Sequence, residues 1–292
     1  MNVLVTGGCG YIGASLVPRL LADGHKVTVF DTQWFGDGYL PDNPNLTIIK
    51  GDIRDKDALK DASVGVEAVI WLASVSNNAM YAISPVTREV NTSVTYIPCE
   101  RFLYASSAAV LDPSSDYTKD KLYCEEKLKG TGAIIVRSAS VCGYSPRQRL
   151  DTTINMMTHD AYRKGVITVY GGDQRRAHVH IDDLCDFYRM ALTKAVKGET
   201  YTVWNVGLSV KDTANIVRDV FKETKRDVNV ELKPRSDSRD WPELEGESMR
   251  SMGAVNKRAV WDGVRNMIMR FDSGQWGDSL TNEIYQNINH AI

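Results

Sequence analysis

The chain has 292 residues, with 35 Lys and Arg against 37 Asp and Glu, a formal net charge of −2 and 43% hydrophobic residues. These values exclude a disordered chain and leave room for one large α/β unit or two lobes sharing an interface. A near-neutral chain without a long basic run also lacks the concentrated positive surface that nucleic acid or an anionic membrane requires, so the expected partner is a small molecule. Apolar runs such as 68–73 are too short to span a bilayer, and residues 1–6 lack the basic and extended apolar regions of a signal peptide. A cytoplasmic location is therefore expected. Cys9, Cys99, Cys124, Cys142 and Cys185 are scattered with no zinc-like pair, so they read as small buried hydrophobes and no metal site is expected.

The first half alternates strand-length apolar runs with helical stretches. Strands are predicted over 2–6, 26–30, 46–49, 68–72, 101–106 and 133–137, each bounded by turn-forming or polar residues, as for strands buried on both faces of a parallel sheet. Between the first two, residues 11–22 carry Ile12, Leu16, Leu20 and Leu21 at helical spacing and end at Asp23-Gly24. This is a doubly wound pattern. Beyond about residue 140 the pattern loosens. Helices are predicted near 152–163, 182–194, 211–223 and 255–270, and strands near 167–170, 199–206 and 228–232, with 234–252 irregular. The second half reads as a smaller lobe over the carboxyl edge of the sheet, where doubly wound proteins bind ligands.

Three constellations carry chemistry. Gly7-Gly8-Cys9-Gly10-Tyr11-Ile12-Gly13 follows a predicted strand and opens a helix. Gly7 permits the tight turn, Gly10 lets backbone approach a pyrophosphate, and Gly13 lets helix and strand pack closely, while the helix N-terminus offers N–H groups to the anion. Asp31 ends the second strand, where a carboxylate accepts hydrogen bonds from the adenosine ribose and repels a 2′-phosphate. With no cation at Thr32 or Gln33, this favours NAD over NADP; an N-cap or loop aspartate is the competing reading. Asp52, after the third strand, faces either adenine or solvent. Tyr117 and Lys121 share one helix face, where an ammonium lowers the phenol pKa for proton exchange with a sugar hydroxyl. Ser107, at the end of the fifth strand, is placed to hydrogen-bond the same reacting oxygen.

Together these residues resemble the extended short-chain dehydrogenase/reductases, the NAD-dependent nucleotide-sugar epimerases and dehydratases. The resemblance extends to Gly51-Asp52-Ile53-Arg54-Asp55, Leu72-Ala73-Ser74, Val90-Asn91, Arg137, Ser145-Pro146-Arg147, Gly171-Gly172-Asp173-Gln174 and His178-Val179-His180-Ile181-Asp182-Asp183-Leu184. It implies a Rossmann-type NAD-binding domain over 1–140, rejoined by 181–208, and a nucleotide-sugar lobe over 141–292. It further implies Ser107, Tyr117 and Lys121 as catalytic residues. Gly7, Gly10, Tyr11, Ile12, Gly13, Asp31, Asp52, Ile53, Leu72, Ala73, Ser74, Asn91 and Lys121 would contact NAD. Ser140, Asn155, Arg176 and Arg239 would contact a nucleotide-diphosphate sugar, the two arginines gripping its pyrophosphate. A homodimer through the Tyr117 helix, with Leu122, Tyr123 and Leu128 on its face, is the implied assembly.

The chain departs from the family pattern in two neighbouring places. Ser107 and Tyr117 are only 10 positions apart, and 91–101 is too short for the usual helix. Ten extended residues still reach about 33 Å, so Ser107 and Tyr117 can meet. Leu111-Asp112 and Ser140-Val141-Cys142-Gly143 also replace the usual Tyr-Gly and Asn-Val-Tyr-Gly. Family dehydratases place an acid/base pair after the serine position; Ala108 and Ala109 can neither donate nor accept a proton, which demotes dehydration. The implied reaction is 4-epimerisation, in which a 4-keto sugar rotates and recovers its hydride. A simple sugar dehydrogenase or ketoreductase, or a non-catalytic NAD-binding sensor of the same fold, remains the alternative.

Overall fold

A computed structural model describes residues 1–76, 78–235 and 257–277 of the chain. Its first part runs β1 (Asn2–Thr6), α1 (Tyr11–Ala22), β2 (Lys26–Asp31), β3 (Leu46–Lys50), α2 (Lys56–Ala62), β4 (Ala68–Trp71), α3 (Asn78–Ile83), α4 (Thr87–Thr92), β5 (Arg101–Ser107), a 3₁₀ turn (Ala108–Leu111), α5 (Asp116–Leu128) and β6 (Ile134–Ser138). Then follow β7 (Ser140–Cys142), α6 (Thr153–Lys164), β8 (Val166–Tyr170), β9 (Arg175–His180), α7 (Ile181–Lys194), β10 (Thr200–Val203), β11 (Val206–Ser209), α8 (Val210–Glu223), β12 (Asn229–Lys233) and α9 (Val260–Asp272).

Seven parallel strands form the main sheet in the order β10-β6-β5-β4-β1-β2-β3. Every residue of β4 is buried because helices cover both faces of the sheet, which is why its strand reads as an unbroken apolar run. On one face Leu16, Val17 and Leu20 of α1 pack with Leu184, Phe187 and Ala191 of α7; on the other, Leu59, Cys124 and Leu128 meet Phe30, Trp71 and Phe102. Full burial of each such aliphatic side chain stabilises the fold by about 2 kcal/mol. Strand order reverses between β1 and β4, so a crevice opens beyond their carboxyl ends, which is the ligand-binding position of doubly wound sheets.

The second layer is built from β11-β9-β7 and β12-β8, backed by α6, α8 and α9 around Ile154, Ile167, Val217, Phe221 and Val264. The expected single strand over 199–206 is two strands. β10 lies parallel to β6 in the main sheet, whereas β11 runs antiparallel to β9 in the second. Asn205 makes the break: its N–H donates to His178 O at 2.8 Å, while its side chain accepts from His180 N–H at 2.6 Å and donates to Asp183 at 2.8 Å. The helix expected from 255 starts at Val260, with 255 and 256 outside the described residues. Leu128, expected on a dimer face, is instead 2% exposed, because α5 turns it inward into the core cluster with Cys124 and Phe102. Among the described residues no helix is long and apolar enough to cross a membrane.

Candidate active site

A cleft of about 570 Å³ opens at the crevice. It is lined by Gly7, Gly10, Tyr11, Ile12 and Gly13 after β1, Asp31 after β2, Asp52 and Ile53 after β3, and Leu72, Ala73 and Ser74 after β4. Gly7 has φ +74°, and a Cβ there would lie 2.7 Å from Ala73 N, so the turn accepts only glycine. A Cβ on Gly13 would collide with the backbone of Gly8, so the close approach of helix and loop also needs glycine. The α1 N-terminus has no side-chain cap and no acid in its first turn, so its positive dipole end is not offset by the helix's own side chains.

Asp31 acts as a loop aspartate, the competing reading, from a position that also faces the cleft. It lines the cleft, and its two oxygens accept N–H bonds from Cys9 at 2.9 Å and Gln33 at 2.7 Å, bracing the glycine loop. Burial raises its pKa, and the two backbone bonds oppose the rise. Asp52 lines the cleft while paired with Arg54, at 3.0 Å to Nε and 2.6 Å to a terminal nitrogen, which lowers its pKa.

The same cleft is lined by Ser107, Tyr117 and Lys121. The short connection between the first two is fully structured. The 3₁₀ turn follows Ser107, whose Oγ accepts Ala109 N–H at 3.2 Å, and Ser115 opens α5 in a capping box with Thr118. The Ser107 hydroxyl lies close enough to the Tyr117 phenol to lower its pKa. Lys121 donates to Ala105 O at 2.9 Å, with Nζ 5.8 Å from the Tyr117 ring centroid. Burial raises the Tyr117 pKa, against the pull of Arg149 and Ser107, and burial pushes Lys121 down to about 8. The nearby charge that favours tyrosinate here is thus Arg149 rather than the expected lysine. Ser106 and Arg137 both bind Glu125, tying α5 to β5 and β6 and fixing the Lys121 helix.

Ser140 and Arg176 line the cleft as expected. Asn91 and Asn155 do not. The Asn91 amide accepts from Ser74 Oγ at 2.9 Å and Val75 N–H at 2.7 Å and donates to Val75 O at 2.9 Å, so it braces the loop after β4. Asn155 is fully buried, accepting Gly143 N–H at 3.0 Å and donating to Tyr11 Oη at 3.1 Å and Arg149 O at 2.8 Å. With its oxygen and both amide hydrogens engaged, it positions a loop rather than touching a ligand. Arg239 lies outside the described residues. Cleft residues that went unread in the sequence include Phe35, Ser76 and Arg149. Arg149 pairs with Asp151, and the spacing Arg147-x-Arg149-x-Asp151 was the available signal. All five cysteines are free, Cys99 only half-buried, and no group of His, Cys, Asp and Glu among the described residues is arranged to hold a metal.

A model of the NAD dependent epimerase/dehydratase family matches residues 3–207. The chain is 30% identical over 236 residues to the uncharacterized protein y4nG of Sinorhizobium fredii, a match covering 70% of this chain and 56% of that one. It is 25% identical over 321 residues to UDP-glucuronic acid decarboxylase 4 of Arabidopsis thaliana, covering 95% of this chain and 70% of the relative. Among solved structures, UDP-glucose 4-epimerase of Thermotoga maritima, with UDP-glucose, matches with TM-score 0.82 and 21% identity over 94% of this chain and all of that one. The dTDP-glucose 4,6-dehydratase of Streptomyces venezuelae, with NAD bound, matches with TM-score 0.82 and 22% identity over 96% of this chain and all of that one.

Proposed function

The chain belongs to the NAD dependent epimerase/dehydratase family, and from that premise we propose that it is a cytoplasmic nucleotide-sugar 4-epimerase. NAD, the cofactor of the family, supplies a reversible hydride acceptor when bound. The glycine loop and α1 N-terminus would hold its pyrophosphate and Asp31 its adenosine ribose. Residues 1–140 with 181–208 form the NAD-binding unit in this reading, and 141–292 the sugar-nucleotide lobe.

The observation that carries the proposal is that Ser107, Tyr117 and Lys121 line the same cleft as the glycine loop, with Ala109 also in its wall. Tyr117 takes the proton of the C4 hydroxyl as that carbon is oxidised and returns it when the carbon is reduced. Ser107 orients the phenol and the reacting oxygen. Lys121, anchored on Ala105 O, holds positive charge behind the pair. Arg176, at the cleft edge, would bind the substrate diphosphate with Arg239. Ala108 and Ala109 supply no proton-transfer group for eliminating water. A homodimer through α4 and α5 belongs to this reading, with Tyr123 exposed on α5.

The test is incubation of the NAD-loaded protein with UDP-, GDP-, CDP- and dTDP-hexoses, followed by separation of products and the absorbance of reduced cofactor. Interconversion of C4 epimers without net reduced cofactor is expected. Stoichiometric NADH with no epimer would instead identify a dehydrogenase.

A further inference from the structure

One loop of the second layer, 143–151, crosses the cleft, and its base is pinned. Tyr11 Oη donates to Gly143 O at 2.7 Å, Ser145 Oγ donates to Tyr11 O at 2.7 Å, and Gln148 donates to Gly143 O at 3.2 Å. Asn155 holds Gly143 and Arg149 from beneath. From this base the loop reaches the first layer at two separated points. The Arg147 guanidinium lies 3.5 Å from the centroid of the Phe35 ring, in the connection between β2 and β3 just past Asp31. Arg149 donates to Ser76 Oγ at 2.6 Å and to Ser76 O, in the segment after β4. β2 and β4 flank β1, so these contacts stand on opposite sides of the glycine loop, and all four side chains line the cleft.

We propose that 143–151 is a strap that retains the dinucleotide between turnovers, with the Arg147–Phe35 stack as its adenosine-side clasp. Arg147 is 2% exposed, and a guanidinium stacked on a ring away from water is in the stronger regime of cation–π attraction. The strap also carries two guanidinium groups along the groove that takes a pyrophosphate, adding charge attraction to steric closure. A dinucleotide leaving the cleft must part the stack first, so opening adds to the dissociation barrier and slows the exit of cofactor. The inference rests on the NAD reading of the cleft but not on the sugar chemistry.

The experiment loads the full chain with radiolabelled NAD, removes free cofactor, adds excess unlabelled NAD and follows loss of label with no sugar present. Phe35→Ala and Arg147→Met should release label about tenfold faster than the parent, a barrier change of ~1.4 kcal/mol. Arg147→Lys, which keeps the charge but not the planar stack, should fall between. Phe35 is only partly buried and belongs to no core cluster, so Phe35→Ala tests the clasp without opening the core. Exit within about twofold of the parent in both Phe35→Ala and Arg147→Met, at unchanged thermal midpoints, would overturn the strap, since the stack would then contribute nothing to retention. Because no sugar is used, slow and clasp-dependent exit stands even where every nucleotide sugar fails to turn over, so loss of the epimerase reading is separately visible.

Discussion

Tyr117 combines three environments at one oxygen: burial raises its pKa, while Arg149 and the Ser107 hydroxyl draw it down. A phenol poised in this way serves as a proton carrier only while it keeps its hydroxyl. Tyr117→Phe should therefore lower kcat by roughly 10²–10⁴-fold with NAD affinity unchanged, read by equilibrium titration of NAD beside turnover; an indifferent kcat would mark a binding protein. Lys121 is held down to about 8 by burial, below the ordinary lysine value of about 10.4. Between those values the unfolded chain binds more protons than the folded one, so this residue's contribution to stability rises with pH across about 8 to 10.4. Activity should run the other way, since the ammonium behind Tyr117 is lost above about 8. An alkaline limb of kcat/KM near 8 that moves upward in Lys121→Arg is expected; a limb unmoved by the substitution would assign it elsewhere. At this scale the sequence revealed residues that recur at fixed spacing, such as the glycines and the Tyr117/Lys121 pair. It could not reveal Phe35, which faces the cleft only because two aperiodic loops converge, nor that the amides of Asn91 and Asn155 are engaged by backbone, and for Arg149 it offered only the Arg147-x-Arg149-x-Asp151 spacing.

The elements explain how a shortened chain keeps its reactive geometry. One 3₁₀ turn and the Ser115–Thr118 capping box replace a longer connection, so α5 begins where Tyr117 can meet Ser107. The cost falls on α4, which is six residues long and leaves 93–100 to run irregularly into β5. The boundaries of the six strands and of α1 in the first half were legible to within a residue or two, because buried parallel strands must be apolar throughout and their helices amphipathic; the short helices α2, α3 and α4 were not. The break between β10 and β11 was not, since Val203-Trp204-Asn205-Val206 continues the apolar pattern while the Asn205 hydrogen bonds divert the backbone into another sheet. Close packing of α1 on the glycine loop gives a direct test. Gly13→Ala places a methyl against the Gly8 backbone, which cannot move aside as a flexible side chain could. It should cost about 1–3 kcal/mol by chemical denaturation and weaken NAD binding in parallel. Undiminished affinity for NAD would separate the glycine loop from cofactor binding.

Across the whole molecule the two layers are joined by charge as well as by the strap. Arg258, just before α9, pairs with Asp183 at 2.9 Å, Asp182 at 3.2 Å and Asp186 at 3.3 Å at the start of α7, and Asp182 also pairs with Arg19 of α1. Asp183 is almost wholly buried and also accepts the N–H groups of Lys257 and Arg258, each at 3.2 Å. Removing its charge weakens the buried bond to Arg258 while Asp182 and Asp186 still pair the guanidinium, so Asp183→Asn should lower stability by about 2 kcal/mol; a thermal midpoint equal to the parent's would show that the network does not join the layers. His178 lies near this junction, fully buried, and burial holds it down to about 4. Its folded pKa is below the unfolded value of about 6.5, so the unfolded chain takes the extra proton and stability is lost as pH falls from about 6.5 to 4. His178→Gln should flatten that acid limb in denaturation curves taken across the window. None of these long-range pairings was legible from local sequence, because each joins segments that meet only when both layers are assembled.

The most direct measurement is the fate of the hydrogen at C4. A nucleotide hexose deuterated at C4, turned over in light water by the NAD-loaded protein, should give the C4 epimer with deuterium retained at that carbon, as seen by NMR and mass spectrometry. Deuterium appearing in released reduced cofactor, or an epimer carrying solvent hydrogen at C4, would contradict internal oxidation and return in a single cleft.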